Sequence, residues 1–500
     1  MANILIIGGG VSGLSAGIYA RLGGHRATIV EKHSVAGGNL TGWQRGDYRI
    51  DNCIHWLTGT NPNTDTYKTW ETLGALGGVE IYQGDQLYTA EHGGIRLSLH
   101  KDLQRIRQEM LICSPRDKKE IESFITAVSV LQKLCGIGGE GHNEKLSPWE
   151  ATRRVPLLWK YYTISTGELA SAFSHPTIRF FLRSFLGEDF GALALLTVFA
   201  TFCGENGGIP RGGSAEMAQR MTDRFLSLGG TLKLRSEVTA IKTDGRSAAS
   251  ATLSDGSVQA ADYFILTADP TAIFGRVLDA PLPRGLQRRR DDPRMKSFSA
   301  YHAAFSCDLS GNELPFRGDL IFPVPPKHRH ALGWDQIVLR EFSHEPDFAP
   351  HGKSLLQTVT FCNESRAQEF IRLRHSDKQR YNAEKSALAH LQIGILEDRY
   401  PIFKNKLTCI DTWTPATYRR YTNSESGAFM SQILPSRCFP TRLSNRVRGL
   451  DNVFLATQWQ QCPGGLPIAA EGGRLAIEAI NKKEAVAVKS HRKSPIYGRV

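Results

Sequence analysis

The stretch Asn3-Ile-Leu-Ile-Ile-Gly-Gly-Gly-Val-Ser-Gly13 decides the fold, because an apolar strand runs directly into the pattern Gly8-x-Gly10-x-x-Gly13. The three glycines allow a tight turn, bring the backbone close to a pyrophosphate and let the next helix pack against the strand. That helix presents unpaired N–H groups to the phosphates. The order of strand, glycines and helix predicts a dinucleotide site, and a glycine-rich turn without a nucleotide is the simpler alternative.

A second strand ends in an acid. The sequence Ala27-Thr-Ile-Val-Glu31 places Glu31 eighteen residues after Gly13, where a carboxylate accepts hydrogen bonds from a ribose. A solvated carboxylate at a strand end is the alternative. The pair Gly37-Gly38 then follows, where a nicotinamide-only domain would continue with a helix and a third strand. A second stretch of exposed backbone favours the longer FAD molecule, although an ordinary turn also contains such glycines.

Later parts of the chain return to this nucleotide-binding unit. The segment Gly207-Gly-Ile-Pro-Arg-Gly-Gly-Ser214 opens a helix that leads to strands ending near Thr267. Near the C-terminus, a strand at 452–456 precedes Pro463-Gly-Gly-Leu-Pro467 and a further helix. Between these segments, runs of alternating apolar and polar residues within 276–435 predict an antiparallel sheet with helices.

These patterns predict the α/β fold class. We expect a Rossmann-like FAD-binding domain assembled from discontinuous segments, and an α+β substrate domain with an antiparallel sheet plus helices. A length of 500 residues exceeds one ordinary domain and agrees with two. We assign residues 1–95, 205–275 and 440–482 to the FAD-binding domain, residues 96–204 and 276–439 to the substrate-binding domain, and residues 483–500 to a flexible basic tail.

Charge narrows the classes of partner. The net charge is +12, and such a charge attracts anionic membrane surfaces or nucleic acid. No nucleic-acid motif accompanies it, so we expect a solvated basic surface and no nucleic-acid partner, with peripheral membrane association as the alternative. Only Met1-Ala2 precede the first strand, and we expect no signal peptide, no anchor and a cytoplasmic location.

Two further features concern the core and the thiols. The apolar run at 190–203 is too short to span a bilayer and predicts a buried helix. Nine scattered cysteines lack any C-x-x-C motif. We therefore expect reduced thiols rather than a disulfide framework, and no metal site.

Taken together, the motifs resemble the FAD site of the phytoene desaturase and carotenoid isomerase family, within the amine-oxidase-like flavoproteins. The resemblance spans residues 4 to 480. It rests on the glycine fingerprint with Glu31, the pair Gly37-Gly38, Gly46 to Asp51, Pro210-x-Gly-Gly-Ser214, Thr414 to Met430, and Pro463-Gly-Gly-Leu-Pro467. One departure is Asn39, where the family commonly has Arg or Lys.

The resemblance implies a set of FAD-binding residues. The glycine loop would hold the pyrophosphate, the acid strand the adenosine ribose, and the start of the last helix would stabilise negative charge on the flavin ring. The residues so implied are Gly8, Gly10, Val11, Ser12, Gly13, Glu31, Lys32, Gly37, Gly38, Asn39, Val238, Gly464, Gly465 and Leu466. Packing in the core is the simpler interpretation of Val238.

The resemblance also implies an activity. An FAD-dependent oxidoreductase of this kind would desaturate, saturate or isomerise C–C or C=C bonds of a hydrophobic, carotenoid or lipid-like substrate by hydride transfer. The alternatives are a flavin-dependent oxidase of an amine or another small metabolite, and a non-catalytic lipid- or prenyl-binding escort protein on the same fold. His55 and Tyr418 are the candidate catalytic residues, and for each of them core packing is the simpler interpretation. The sequence does not identify an electron acceptor.

Overall fold

The computed structural model describes residues 1–135, 148–309 and 313–492. The helices are α1 (Val11–Leu22), α2 (Asp65–Thr72), α3 (Leu103–Cys113), α4 (Lys118–Cys135), α5 (Pro148–Thr163), α6 (Thr166–Ser171), α7 (Pro176–Ser184), α8 (Ala192–Cys203), α9 (Gly213–Ser227), α10 (Pro270–Ile273), α11 (Arg284–Asp291), α12 (Pro326–Leu332), α13 (Glu364–Ser376), α14 (Lys378–Arg399), α15 (Pro415–Thr422) and α16 (Leu466–Arg492).

The strands are β1 (Asn3–Ile7), β2 (Arg26–Val30), β3 (Gly42–Arg45), β4 (Tyr48–Asp51), β5 (Leu57–Thr58), β6 (Ile81–Tyr82), β7 (Gln86–His92), β8 (Ile95–His100), β9 (Gly207–Pro210), β10 (Thr231–Lys233), β11 (Val238–Asp244), β12 (Ser247–Leu253), β13 (Val258–Ala260), β14 (Tyr263–Leu266), β15 (Ser299–Cys307), β16 (Asp319–Pro323), β17 (Gln336–Glu341), β18 (Ser354–Cys362), β19 (Leu407–Trp413) and β20 (Val453–Leu455). Four short 3-10 helices lie at 115–117, 346–348, 401–403 and 458–460.

A five-stranded parallel sheet forms the nucleotide-binding unit, in the order β10-β2-β1-β14-β20. Its central strand β1 is apolar and buried from Ile4 to Ile7, as expected for a parallel sheet covered on both faces. Because the strands are parallel, their carboxyl ends meet at one edge. The glycine loop after β1, Glu31 after β2 and Thr267 after β14 lie at that edge, where open α/β sheets bind ligands.

Helices α1 and α16 cross on one face of this sheet. The crossing is so close that a Cβ atom on Gly473 would lie 2.5 Å from both the Ala16 nitrogen and the Ser12 carbonyl oxygen. The contact joins the first helix of the chain to its last described helix, and it explains how distant segments complete one domain.

A seven-stranded sheet forms the second unit, in the order β19-β15-β18-β17-β16-β7-β8. Its outer face is apolar and packs on α13 and α14, through side chains such as Tyr301, Phe305 and Leu339 against Phe370 and Leu396. We call the opposite face the inner face. It carries His302, Asp319, Arg340, Gln357 and Trp413, which the pairing of neighbouring strands places on the same side of the sheet. The sheet is antiparallel except where β7 pairs in parallel with β16.

The structure confirms the α/β fold class and corrects three details. The hairpin of β7 and β8 hydrogen-bonds to the seven-stranded sheet, so the expected boundary at residue 95 falls inside an element of the second unit. Residues expected to begin a flexible tail at 483 continue helix α16 to Arg492, and residues 493–500 lie outside the described part. The expected α+β sheet contains one parallel pair.

The apolar run at 190–203 forms α8, which is buried as predicted. Phe199 of this helix packs edge-on against Phe124, with ring centroids 5.1 Å apart. Its apolar surface therefore belongs to the core and is not available for docking on a bilayer. Within the described ranges, none of the helices combines the length and the apolar character that crossing a membrane requires.

Candidate FAD and substrate site

Two of the fingerprint glycines are required by the protein itself. Gly8 has φ +105°, and a Cβ there would lie 2.4 Å from Thr267 Oγ1. A Cβ on Gly13 would lie 2.0 Å from the Gly8 carbonyl oxygen. These contacts correspond to the tight turn and to the close packing of helix on strand.

Gly10 differs from its neighbours. Its backbone is extended, and a Cβ would meet nothing nearer than 3.8 Å. The fold alone therefore does not demand glycine at this position, whereas the close approach of a pyrophosphate would. Helix α1 begins directly after Gly10 without a side-chain cap and without an acid in its first turn. The N–H groups of Val11, Ser12 and Gly13 have no partner within the helix and suit an anion.

Glu31 lies beside this loop. Its carboxylate is 7 % exposed and accepts hydrogen bonds from Gly9 N–H at 2.7 Å and from His33 N–H at 2.9 Å. A carboxylate offers about four acceptor positions, so two remain for ribose hydroxyls. The strand-end acid is thus oriented by the backbone rather than freely solvated.

Two other predicted residues lie at the same end. Val238 is buried at the start of β11, two residues after Ser236, whose N–H donates to the Glu31 carbonyl oxygen at 2.8 Å. Lys32 donates from Nζ to the Arg420 carbonyl oxygen at 2.8 Å and to Asn423 Oδ1 at 2.5 Å. Burial lowers the pKa of Lys32, against the effect of nearby carboxylates. The Lys32 side chain therefore fastens helix α15 to the acid strand.

The second glycine pair rests on the first loop. Gly37 N–H donates to the Gly9 carbonyl oxygen at 2.8 Å, and a Cβ on Gly38 would lie 3.1 Å from Gly10 Cα. Both residues have positive φ, +123° and +62°. The turn that follows Glu31 is therefore folded against the glycine loop.

The carbonyl oxygen of Phe429 is hydrogen-bonded both to an N-terminal and to a C-terminal segment of the chain. It accepts hydrogen bonds from Asn39 Nδ2 at 3.0 Å and from Gln458 Nε2 at 3.4 Å. The other end of the Gln458 amide accepts from Gly465 N–H at 3.0 Å, one residue before Leu466 begins α16. Gly464 lies beside Ser431, whose backbone nitrogen is 3.0 Å from where a Gly464 Cβ would be. The structure thus brings residues 37–39 and 464–466 together.

Arg442 is a residue that no sequence motif indicated. Its Nη2 donates to the Ile468 carbonyl oxygen at 2.9 Å, while its Nη1 is buried and has no partner among the described residues. A Cβ on Gly472 would lie 3.4 Å from that Nη1 and 3.5 Å from Thr457 N. Burial lowers the pKa of Arg442. A buried guanidinium nitrogen without an acceptor is costly, so the group fits a phosphate of a bound cofactor.

The inner face carries an aromatic and polar group around Tyr418. Its hydroxyl donates to Asn52 Oδ1 at 2.9 Å and accepts from Trp413 Nε1 at 3.2 Å. His302 Nε2 is 3.1 Å from the same oxygen, and the His302 ring stacks on Trp413 with centroids 4.8 Å apart. Asn52 in turn donates from Nδ2 to the Asn39 carbonyl oxygen at 3.1 Å. A hydrogen-bonded path therefore runs from Asn39 to His302.

A buried ion pair lies next to this group. His55 Nδ1 is 3.0 Å from Asp319 Oδ2, and Arg340 Nε is 3.4 Å from Asp319 Oδ1. Arg340 Nη2 also donates to the Ile54 carbonyl oxygen at 2.8 Å. Asp51 fixes the other end of this loop, since it accepts from Ser214 Oγ at 2.7 Å and from Cys53 N–H at 3.0 Å. The loop that carries Asn52 and His55 is held at both ends.

Burial controls protonation in both groups. It holds the pKa of His302 well below its usual value, and the positive charge of Arg340 adds to the effect. Burial likewise raises the pKa of Tyr418 and lowers that of His55. Burial alone would raise the pKa of Asp319, but the Arg340 charge and the His55 hydrogen bond lower it. At neutral pH the two histidines and the tyrosine are uncharged, and Asp319 is ionised.

Gln357 completes the inner face. It is 1 % exposed and lies opposite Ala304 on one side and Arg340 on the other, and its Nε2 has no hydrogen-bond partner within the described ranges. A buried amide donor without a hydrogen-bond partner is energetically unfavourable in a protein core. The inner face therefore has a spare donor beside the Asp319–Arg340 pair.

The thiols of Cys53, Cys113, Cys203, Cys307, Cys362, Cys409, Cys438 and Cys462 are free. In the part of the chain that the structure describes, no group of three or more His, Cys, Asp or Glu side chains is arranged to hold a metal ion.

The fold and the glycine-lined edge define a dinucleotide-binding flavoprotein of the two-domain type. The sequence model of the flavin containing amine oxidoreductases matches residues 11–481, and the chain belongs to this family. It is an FAD-dependent oxidoreductase, and the expected resemblance and cofactor are confirmed.

Three known proteins illustrate the relationship. Prolycopene isomerase 1, chloroplastic, from an Oncidium hybrid cultivar is 22% identical over 457 residues, which cover 85% of this chain and 75% of that protein. Phytoene dehydrogenase from Streptomyces griseus is 22% identical, with 96% of this chain and 95% of that protein covered. The solved structure of cyclohexylamine oxidase from Brevibacterium oxydans aligns with a TM-score of 0.57 at 16% identity. The alignment covers 97% of this chain and 99% of the oxidase, and it shows that the two proteins share a fold.

Proposed function

We propose that this oxidoreductase acts on a carbon–carbon bond of a hydrophobic, unsaturated substrate of the polyene class, by desaturation, saturation or isomerisation. The observation that carries the proposal is the hydrogen-bonded path from Asn39 through Asn52 to Tyr418, which connects the loop beside the fingerprint glycines to the inner face. The named isomerase and dehydrogenase relatives support the substrate class. When bound, FAD supplies the acceptance or donation of hydride.

The cofactor would lie along the carboxyl edge of the parallel sheet. Gly10 with the first turn of α1 and Arg442 would hold the pyrophosphate, and Glu31 the ribose. Residues 37–39 and 464–466 would line the remainder. Their shared hydrogen-bond partner, the Phe429 carbonyl oxygen, supports this assignment, because it holds the two segments at one place.

Tyr418 and His302 would manage a proton at the substrate. Both are neutral and buried, and because the Tyr418 hydroxyl donates its proton to Asn52 Oδ1, His302 Nε2–H donates to the Tyr418 oxygen across 3.1 Å. Asn52 and Trp413 hold the tyrosine oxygen in place while the histidine ring stays stacked on Trp413. This arrangement suits general acid–base assistance to a reaction on a hydrocarbon.

His55 would act as a positioned acceptor. The ionised Asp319 fixes its Nδ1 as a donor, and the other ring nitrogen is then the acceptor. Arg340 keeps Asp319 charged despite its burial. We therefore assign Asp319 and Arg340 as positioning residues for the loop that carries His55.

A substrate survey tests the proposal. Protein reconstituted with FAD, oxidised in one arm and reduced with dithionite in the other, is incubated without oxygen with about one equivalent of a poly-cis carotene, phytoene or cyclohexylamine, and products are distinguished by their absorption spectra. We expect turnover of a polyene that is lost in Gly10→Val, which blocks the approach of the cofactor. Turnover of cyclohexylamine alone would overturn the proposed substrate class.

Amine oxidation is the second candidate function. The observation in its favour is the aromatic wall of Trp413, Tyr418 and Phe429, where the tyrosine and phenylalanine rings lie 5.7 Å apart. Aromatic faces attract an alkylammonium group. The same survey decides between the two functions, because a substrate that donates hydride bleaches the oxidised flavin, saturation of a polyene restores the absorbance of the reduced flavin, and isomerisation changes only the polyene spectrum.

A further inference from the structure

A basic cleft lies on the surface between helices α13, α14 and α15. Its cavity volume is about 670 Å³, within the range of roughly 300–1,000 Å³ typical of small-molecule sites. Helix α15 separates it from the inner face: Tyr418 of this helix points into the buried aromatic group, and the neighbouring Arg419 and Arg420 line the cleft. The cationic residues that line the cleft are Arg372, Arg374, Lys378, Arg419 and Arg420, and His375 lies among them.

The lining has only one sign of charge. It contains five Arg or Lys side chains and no Asp or Glu. Like charges gathered in a concave surface repel one another and create a strong positive potential. A bound anion relieves that repulsion, which makes the cleft different from a convex, solvated basic surface.

Several of these cations are available to a ligand. No ion pair involves Arg372 or Lys378 within residues 1–135, 148–309 and 313–492, and both are exposed. Arg374 lies over the Tyr381 ring at 5.5 Å, and Arg420 lies over the Tyr421 ring at 4.7 Å. These ring contacts orient the guanidinium groups without neutralising them. Arg419 alone has a carboxylate partner, Glu425, at 3.3 Å.

We propose that the cleft binds the phosphate groups of an anionic ligand. Arginine side chains contact phosphate with paired, charge-assisted hydrogen bonds, and lysine adds a compact charge. A soluble nucleotide and a lipid headgroup present the same phosphate chemistry. The site is separate from the glycine loop, and it is connected to that loop through α15, whose last turn Lys32 holds beside Glu31.

Binding of inorganic pyrophosphate to the FAD-loaded protein tests the proposal by titration calorimetry. The protein is saturated with FAD and the unbound FAD is removed, so that the glycine loop is occupied and no free nucleotide competes for the cleft. The cleft variant combines Arg372→Glu with Lys378→Glu. The control combines Arg288→Glu with Lys327→Glu, two exposed cations on other helices. Each substitution replaces a positive with a negative charge, so both variants lower the net charge of +12 equally.

We expect pyrophosphate to bind the wild type and the control alike and the cleft variant about tenfold more weakly or worse. In a second arm, the three proteins are sedimented with phosphatidylcholine vesicles with and without phosphatidylglycerol. Cleft-dependent sedimentation without pyrophosphate binding identifies a lipid headgroup as the source of the phosphate. The proposal is overturned if neither probe binds, or if the control loses binding as much as the cleft variant.

Discussion

The hydroxyl of Tyr418 is fixed from three sides, by Asn52, Trp413 and His302. The hydroxyl is therefore held in one orientation, because each of its three partners is itself buried or partly buried. Core packing alone would not require these hydrogen bonds. The sequence offered Tyr418 as a candidate among several aromatic residues. The reason to prefer it is visible only once His302, from a distant strand, is placed beside it.

Removing the Tyr418 hydroxyl should affect the catalytic rate but not the binding of the cofactor. We expect Tyr418→Phe to lower kcat for the polyene while the FAD dissociation constant stays unchanged. Stability falls by about 1–3 kcal/mol, because the partners of the hydroxyl lose a hydrogen bond. Steady-state rates, flavin fluorescence titration and urea unfolding measure the three quantities. The exposed Tyr421, 42 % accessible, gives the matched control Tyr421→Phe, and an equal loss of kcat in both variants contradicts the role.

The fingerprint glycines divide into those needed by the fold and one needed by the ligand. Gly13→Ala drives a Cβ to 2.0 Å from the Gly8 carbonyl oxygen, so we expect loss of folded protein. Gly10→Ala meets no atom within 3.8 Å, and the stability of the FAD-free protein should change by less than about 0.5 kcal/mol. FAD should nevertheless bind at least tenfold more weakly. This factor corresponds to a loss of about 1.4 kcal/mol in binding free energy, attributed to one lost close contact. Thermal unfolding and FAD titration check both; unaltered FAD affinity in Gly10→Ala excludes a pyrophosphate there.

Among the elements, the crossing of α1 and α16 is what fastens the C-terminal segment to the glycine loop. Gly473→Ala places a Cβ 2.5 Å from backbone atoms of α1. Backbone atoms cannot turn aside, so we expect a loss of about 1–3 kcal/mol in the free energy of unfolding and weaker FAD binding, because α1 carries the loop. Urea unfolding with and without FAD measures both effects.

The control for that crossing is another helical glycine. A Cβ on Gly394 of α14 meets nothing within 4 Å, so Gly394→Ala should stabilise the protein by about 0.5–1 kcal/mol. FAD affinity should stay unchanged in this variant. If Gly394→Ala and Gly473→Ala have the same effect on FAD affinity, the crossing does not position the loop.

At the scale of elements, the sequence predicts the features that depend on residues close together in the chain. The strand, the glycines and Glu31 lie within a short stretch and follow local rules of turn and helix geometry, so they could be predicted. The hairpin of β7 and β8 could not be placed, because Tyr88 pairs with Asp319 from a distant part of the chain. Arg442 and Gln357 carry no motif either; their unpaired nitrogens are visible only when the burial of each is known.

For the whole molecule, the head and tail segments share the Phe429 carbonyl oxygen, and the ring of Phe429 lies 6.1 Å from that of His302 on the inner face. The inner face beside this junction buries neutral histidines between the domains. Burial lowers the pKa of His302 and His55. The unfolded chain therefore binds more protons than the folded protein once the pH falls below the ordinary histidine value of about 6.5. Stability contributed by these groups is present above that pH and lost below it.

This linkage predicts an acid-induced loss of stability with a known sign. Between pH 7.5 and pH 5.5, an unprotonated buried histidine should cost about 1.4 kcal/mol in the free energy of unfolding. We expect His302→Gln to reduce the pH-dependent loss by that amount, even if its stability at pH 7.5 is lower, because the substituted side chain does not titrate. Urea unfolding at the two pH values gives the difference directly. The exposed His351 provides the control His351→Gln, which should leave the loss nearly unchanged. An equal loss in wild type and His302→Gln would mean that His302 takes up a proton in the folded protein over this pH range as it does in the unfolded chain, and burial would then not keep it neutral.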